Sequence, residues 1–487
     1  MKMKNIVTIM LCITSVILGS CKKMVEVNGS STSVGSQDIY NSDATAIGAL
    51  TSLYAGLSSG SITDPTEMSS LSCIAGLSAD ELTLFPNSNN AILSSFYRNA
   101  LTKESGYSAG YWNAAYNRVY IVNEALNGLN AATSLTPSVK QHLIGEARFM
   151  RAFYYFYLVN LYGDVPLILN TDYVSNALLP KSSKQLIYDQ IIKDLKEAQN
   201  LLSDKYLRGD GIALYPDGSE ERLRPNKWAA TAMLARVYLF KSEWSNAESQ
   251  STTIINNTAL YGLEPLGKVF LKNNKEAIWQ LQSTRIGYNT SDANGFILPA
   301  SGPTFSFPVY LSETLMNSFE AQDQRKKVWI SNMKVNGITY FYVYKYKVPF
   351  SNVTNAPLKE YNNVMRLAEQ ILIRAEARAH LGNLSGAIAD LDMIRKRAGL
   401  RLFVETNPAI GEDDLLTAIL KERQLEFFTE WGHRWFDLNR TGRIDEIMLV
   451  TTPKKGNNSG WKSYQQYYPI TSAELNRNPN LTPTPGY

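Results

Sequence analysis

The chain has 487 residues, 48 basic and 44 acidic, giving a formal net charge of +4 without a long run of either sign, which argues against nucleic acid as a partner. That length suffices to bury one or two hydrophobic cores. Tyrosine is the unusual component, with 28 residues against 17 phenylalanines, and it suits surfaces that stack on sugars or peptides while offering a hydroxyl.

Lys2 and Lys4 give a positive start, Ile6 to Leu18 an apolar run, and Gly19-Ser20 a small-residue cleavage site, so residues 1–20 read as a lipoprotein export signal outside the fold. The apolar run is too short to serve as a membrane span. Leu18-Gly19-Ser20-Cys21 resembles a bacterial lipobox, which implies acylation of Cys21 and a lipid-anchored tether over residues 21–43, dominated by Gly, Ser and Asn from 28 to 36. Cys12 leaves with the signal and Cys21 carries lipid. Cys73 is then alone, excluding an intramolecular disulfide, and a small buried hydrophobe is its expected role.

Helical patterning begins near Ala44. From Tyr111 to Leu129, Trp112, Ala115, Val119, Val122 and Leu126 fall on one helical face. After a turn at Pro137, Gly145 to Leu169 reads as a helix too apolar for a surface, ended by Gly163 and Pro166. Residues Arg208 to Pro225 carry Asp210 and Asp217 without the spacing of a calcium loop and read as turn-rich. Further on, LARVYLFKSEWSNAE and RAEARAHLGNLSGAI align so that Ala235 matches Ala375, Ser242 matches Gly382 and Ala247 matches Ala387. Small residues at matching points let two antiparallel helices approach closely, the logic of tetratricopeptide-like hairpins that hide their apolar faces against neighbours. The predicted fold class is mainly α: helical hairpins interrupted by long irregular excursions, with a few short β-strands.

The largest excursion spans residues 263–361. Glu276 to Gln282 and Gly337 to Val348 alternate like strands, and residues 285–312 between them are rich in Gly, Pro, Ser, Asn and aromatics with almost no helical period. A shallow sugar site needs flat aromatic faces with a few amide or charged groups, presented on loops by a rigid scaffold. Tyr288, Asn289, Asp292, Asn294, Phe296, Phe305, Phe307 and Tyr310 form the richest such set, and Asp80, Phe85 and Tyr97 mark a region expected to join them in an open binding face. The competing reading for each aromatic is that it merely docks its loop on its own domain.

Near the C-terminus Glu422, Glu426 and Glu430 share one helical stripe, a like-charge series that requires answering cations. Arg423, Arg434 and Arg440 are the candidates, and Gly432 is a plausible break before Trp435-Phe436. A catalytic pair and a structural Arg–Glu network both fit such carboxylates. The network is favoured, with Arg434 answering Glu426 or Glu430, because no nucleophile or metal ligand accompanies them.

The same segment, KERQLEFFTEWGHRWFDLNRTG from Lys421 to Gly442, together with YYPITSAELNRNPNLTPTPGY from Tyr467 to Tyr487, resembles the C-terminal end of the SusD/RagB family of nutrient-binding lipoproteins. The segments Tyr111 to Leu129 and Gly145 to Leu169 are similar to its long helices, and Asp80-Glu81 lies in a stretch resembling an element that leads toward the ligand side. The resemblance implies a single domain over residues 44–487: a scaffold at 44–262 and 362–450, a ligand-side excursion at 263–361 and a C-terminal motif at 451–487. It further implies a lipid-anchored, surface-exposed place on the outer membrane. There the protein would capture an oligosaccharide or peptide for a SusC-like TonB-dependent transporter, without catalysis.

Enzyme motifs are absent: His142, His380 and His433 are scattered, and no zinc-spaced cysteines, phosphate-binding loop or nucleophile elbow occurs, so no cofactor or metal is expected. A surface glycoside hydrolase needs only two facing carboxylates and stands as the alternative of another class, while Asp80-Glu81 also reads as a solvated turn or helix cap. A helical adaptor binding only protein is a third reading, disfavoured by the long aromatic excursion.

Overall fold

The computed structural model describes residues 38–487 except Ser59, Asp217 and residues 352–355. The signal segment and Cys21 lie outside the described residues. Helix α1 (Asp43–Ser58) starts where helical patterning begins and buries Ala46, Leu50, Leu53, Tyr54 and Leu57 at helical spacing. The short helix α2 (Leu71–Ser78) is buried throughout and carries Cys73, whose thiol is pushed up by burial. Strand β1 (Leu82–Leu84) follows, then α3 (Ala91–Tyr97), whose first turn is capped by the Asn90 side chain.

Helix α4 (Ala109–Ala131) buries the predicted face of Trp112, Ala115, Val119, Val122 and Leu126. Helix α5 (Pro137–Tyr162) starts earlier than the sequence suggests, because Pro137 sits in its first turn, where no backbone donor is needed. It ends at Gly163, in a positive-φ conformation, so residues 164–169 do not continue it. From Phe149 to Tyr162 every residue of α5 is buried, packed between α4 and α6 (Lys184–Leu201).

The two aligned segments are helical hairpins: α7 (Lys227–Phe240) with α8 (Trp244–Ile255), and α9 (Leu367–His380) with α10 (Leu384–Arg397). Ser242 (φ +57°) and Gly382 (φ +78°) occupy the same left-handed turn position. Glu243 N donates to Tyr238 O at 2.9 Å and Asn383 N to Arg378 O at 2.8 Å, the same six-residue helix-ending bond. Ala235, Ala247, Ala375 and Ala387 are fully buried where the helices meet.

The excursion supplies short antiparallel pairs. Strand β2 (Ala277–Leu281) pairs with the distant β6 (Asn362–Arg366), β1 pairs with β3 (Val309–Leu311), and β4 (Ile330–Val335) forms a hairpin with β5 (Ile338–Val343). Asn336 (φ +49°) and Gly337 (φ +84°) make that hairpin's two-residue turn, which demands two left-handed residues. The predicted second strand stops at Val343, short of Val348, because Lys345 turns inward. The segment expected to lack helix contains one short turn of it, Ser291–Phe296, capped by Thr290.

The acidic stripe lies on α11 (Glu412–Phe427) and just beyond it, and Gly432 (φ +75°) separates it from α12 (His433–Arg440). A side chain at 432 would also collide with Ala75 of α2. The carboxylates are buried and paired, but not with the expected arginine. Glu422 meets Arg325 at 2.6 Å, and Glu426 meets Arg325 at 3.1 Å and Arg366 at 2.5 Å as well as Arg397. Glu430 meets Arg366 at 2.8 Å and Lys345 at 2.6 Å. Arg434 instead holds Asp80 by two bonds of 2.8 and 2.7 Å, because the Gly432 turn redirects α12 toward the corner between α2 and β1. Arg423 of α11 and Arg440 of α12 both take Asp437 of α12, each at 2.8 Å.

The remaining chain, after α13 (Ile444–Lys454), wraps back over the N-terminal helices. Lys455 caps the C-terminal end of α2 through the carbonyls of Leu77 and Ser78 at 2.7 and 3.0 Å and that of Ala79. Burial pulls its amine down to about 7, against the pull of Asp80.

Arg366 is held by three carboxylates at once, so Arg366→Ala leaves Glu276, Glu426 and Glu430 short of a buried cation. A loss of about 3–5 kcal/mol is expected in chemical denaturation. By contrast Arg477→Ala, at an ion pair whose arginine is 71% exposed, should stay within about 0.5 kcal/mol of the parent. Equal midpoints for the two variants would show that the Arg366 cluster is not a structural tie.

Acid provides a second test. Burial would raise Glu146, but Arg224 and His142 hold it down, from 4.5 to about 2. A lowered carboxyl pKa contributes stability that is complete above the unfolded value and is lost as pH falls through the folded one. The destabilisation caused by Glu146→Gln should therefore be largest above about pH 4.5 and shrink steadily toward pH 2. A penalty independent of pH over that window would contradict the assignment.

Candidate ligand-binding face

Strand β1 brings Thr83 opposite Tyr310 of β3, and Phe85 N extends the pairing by donating to Pro308 O at 2.6 Å. On the other flank β3 packs on β5, where Tyr340 meets Tyr310 edge-to-face with ring centres 5.2 Å apart. Tyr97, the last residue of α3, completes the group. Its phenol lies beside Thr83 and Tyr310, and Lys455 Nζ stands 5.3 Å from its ring centre. The turn from Thr304 to Phe307, closed by Thr304 N to Phe307 O at 3.1 Å, projects Phe305 into solvent at 65% exposure.

Five expected residues thus share one end of the β1–β3 pair: Phe85, Tyr97, Phe305, Phe307 and Tyr310. The first two, Phe307 and Tyr310 are half-buried, so each ring is fixed at its base and open above. Burial, with Tyr97 and Tyr340 beside it, pushes the Tyr310 phenol up to about 12. Burial raises Tyr97 as well. Both phenols stay protonated at neutral pH and present flat, uncharged surfaces with hydroxyl donors. That is the chemistry for the C–H faces and hydroxyls of a sugar.

The other expected residues lie elsewhere. Tyr288 is half-buried between Arg285, whose guanidinium stands 4.2 Å from its ring centre, and Phe350 at 5.1 Å. Asn289 is buried, and its side-chain oxygen accepts from Lys359 N at 2.7 Å and Glu360 N at 3.0 Å, which pins the excursion to itself. Asp292 is buried against Asn362, its carboxyl pushed up to about 7 by burial and by Glu430. Asn294 donates to Thr290 O at 2.7 Å within its own helical turn, and Phe296 is buried in the core. Asp80 is 2% exposed and its carboxylate is held by Arg434. Asp80, Asn289 and Asp292 are buried with partners inside the protein, so they do not contribute to an open face, while half-buried Asn294 lies on the separate helical turn Ser291–Phe296.

The same geometry bears on catalysis. The adjacent carboxyls Asp80 and Glu81 are both buried behind β1; Arg434 holds the first low, and burial with Asp80 raises the second to about 8. Neither faces another carboxylate across a cleft, as glycoside hydrolysis requires. Among the described residues no group of His, Cys, Asp or Glu is arranged to hold a metal ion. Sequence reasoning missed Tyr340. It was hidden inside a strand pattern, although alternation puts Tyr340 and Tyr342 on one side of β5.

Comparison with known proteins agrees with this architecture. A family model described as the SusD family matches residues 285–487, and a second, described as starch-binding associating with outer membrane, matches residues 77–239. A SusD-like protein, P2, of Formosa agariphila is 27% identical over 435 residues, 79% of this chain and 81% of its own. A SusD superfamily protein of Bacteroides vulgatus shares the fold with a TM-score of 0.77 at 22% identity, over 92% of this chain and 100% of its own. Surface glycan-binding protein A of Bacteroides uniformis does so at 0.74 and 20% identity, over 91% and 99%. The chain belongs to the SusD/RagB family, whose members are binding proteins and not enzymes.

Proposed function

We propose that this protein captures an oligosaccharide on the face formed by Tyr97, Phe305, Tyr310 and Tyr340 and delivers it to a SusC-like TonB-dependent transporter in the outer membrane. The observation that carries the reading is the cluster itself: four rings, brought together from α3, a loop and two strands, three of them braced from below. The matched description of starch binding in association with the outer membrane supports a glycan as the ligand class. In this reading residues 44–487 act as one ligand-capturing unit. Lipid on Cys21 and the tether to residue 43 hold that unit at the cell surface.

Soluble starch and laminarin are suitable first probes in affinity electrophoresis, extended to a panel of other neutral glycans. Stacking a ring on a sugar contributes about 1 kcal/mol, so Phe305→Ala with Tyr310→Ala should weaken binding roughly 10- to 30-fold. Trp244→Phe, at a ring stacked on His380 in the hairpin scaffold, should bind as the parent does. Unchanged retention of the double variant, with its thermal midpoint intact, would remove the face from the binding site.

The anchor is tested separately. Cys21→Ala expressed in the native host should leave the membrane fraction and lose incorporation of labelled fatty acid. A variant that stayed membrane-bound and labelled would show that another residue carries the lipid.

A further inference from the structure

A cleft of about 700 Å³ opens between α1, the loop 207–224 and the end of β2. None of these elements contributes to the aromatic face. The volume falls within the roughly 300–1,000 Å³ typical of small-molecule sites.

Its floor is held rigidly. Arg224 donates to both oxygens of Glu146 on α5, at 2.7 and 2.6 Å, and to Thr51 Oγ1 on α1 at 3.0 Å. The Tyr54 ring lies 5.7 Å from the same guanidinium. Because Glu146 answers Arg224, the floor presents no unpaired charge, and an anionic ligand gains nothing there.

One wall is the loop that the sequence suggested was only a turn. Asp210 Oδ1 accepts from Ile212 N at 3.0 Å and Ala213 N at 2.9 Å, and Leu207 bridges to Leu214, so the loop is closed by its own bonds. On that frame Tyr215 presents a half-buried ring, backed by Arg208 at 5.7 Å. Glu221 is oriented by the Tyr361 hydroxyl, which donates to its Oε1 at 3.1 Å. The opposite wall carries exposed Gln282 and Thr284, whose side chains have no hydrogen-bond partner among the described residues.

An aromatic plate, an oriented carboxylate, a free amide and a free hydroxyl around a neutral floor match a polyhydroxylated, uncharged ligand. We propose that this cleft is a second saccharide site, taking the end of a short neutral oligosaccharide separately from the aromatic face. The proposal rests on the reading that the protein binds glycan, and it adds a site where none was expected. Two sites on one scaffold would let a single chain hold a long glycan at two points, raising its effective affinity without new contacts at either.

Hydrogen–deuterium exchange on the intact protein separates the two readings. The probes are a panel of neutral gluco-, xylo-, manno- and galacto-oligosaccharides at millimolar concentration. The expected result is slowed exchange in peptides covering both 207–224 and 304–311. In the Tyr215→Ala, Glu221→Gln variant the first should return to the ligand-free rate while the second remains slowed. Slowing at 304–311 alone would overturn the second site and leave the aromatic face standing. Slowing at 207–224 alone would keep the cleft and overturn the aromatic face. Slowing at 207–224 that survives the double variant, or no slowing with any probe, would overturn the cleft.

Discussion

The buried contact between Arg366 and the carboxylates of Glu276, Glu426 and Glu430 is the point on which the architecture turns. Arg366 is the last residue of β6 and stands directly before α9, so it belongs to both the excursion and the scaffold. Its partners come from the residue preceding β2, from α11 and from the turn after α11. Three chain segments separated by tens to about 150 residues therefore meet at one guanidinium. Burying ions is costly, and a well-packed apolar cluster could match its stability. What an apolar cluster would lack is geometry: a planar fork with five donors accepts only carboxylates placed at its edges, which specifies one docking of excursion on helices.

That docking determines what the surface can do. Arg325 and Lys345 tie both flanks of the β4–β5 hairpin to α11 and the turn that follows, through Glu422, Glu426 and Glu430. Arg434 and Lys455 tie the α2–β1 corner to the C-terminal segment. The strands carrying Tyr310 and Tyr340 are thus held at their bases by ionic contacts while their aromatic tips stay free. Rings presented in this way lose little conformational freedom on binding, so modest stacking energies are not cancelled by ordering costs.

Much of this was legible in the sequence, and the reasons differ by element. The hairpins were readable because Ala235, Ala375, Ala247 and Ala387 meet a local steric demand, and Ser242 and Gly382 a local backbone demand, that recur at the same spacing. The buried stripe was readable because three glutamates on one helical face cannot stay unanswered. Most of its partners were not, since Arg325, Lys345 and Arg366 lie 60 to 101 residues away in sequence, and only Arg397 among those named is as near as 29 residues. The same limit divided the candidate ligand residues. Composition marks residues 288–310 as unlike the scaffold, yet only the pairing of β1 with β3 decides that Tyr310 faces outward beside Tyr97. Asn289 and Asp292 are drawn inward to satisfy backbone donors and Asn362.

Charge and ring chemistry are accordingly separated by depth. The strongly shifted carboxyls and amines, Glu81, Asp292, Lys345 and Lys455, are all buried and hold backbone or neighbouring side chains. The face and the cleft present phenols, phenylalanine, amides and hydroxyls, with the Glu221 carboxylate on the cleft's wall and Arg224 neutralised by Glu146 beneath. A surface of that kind discriminates poorly between one neutral sugar and another by charge, so selectivity must come from the spacing of rings and the depth of the cleft. Both are set by short elements, the Thr304–Phe307 turn and the 207–224 loop. These can vary in length or sequence without disturbing the guanidinium at Arg366 that fixes the rest, so ligand choice can diverge while the ionic core and the hairpins stay the same.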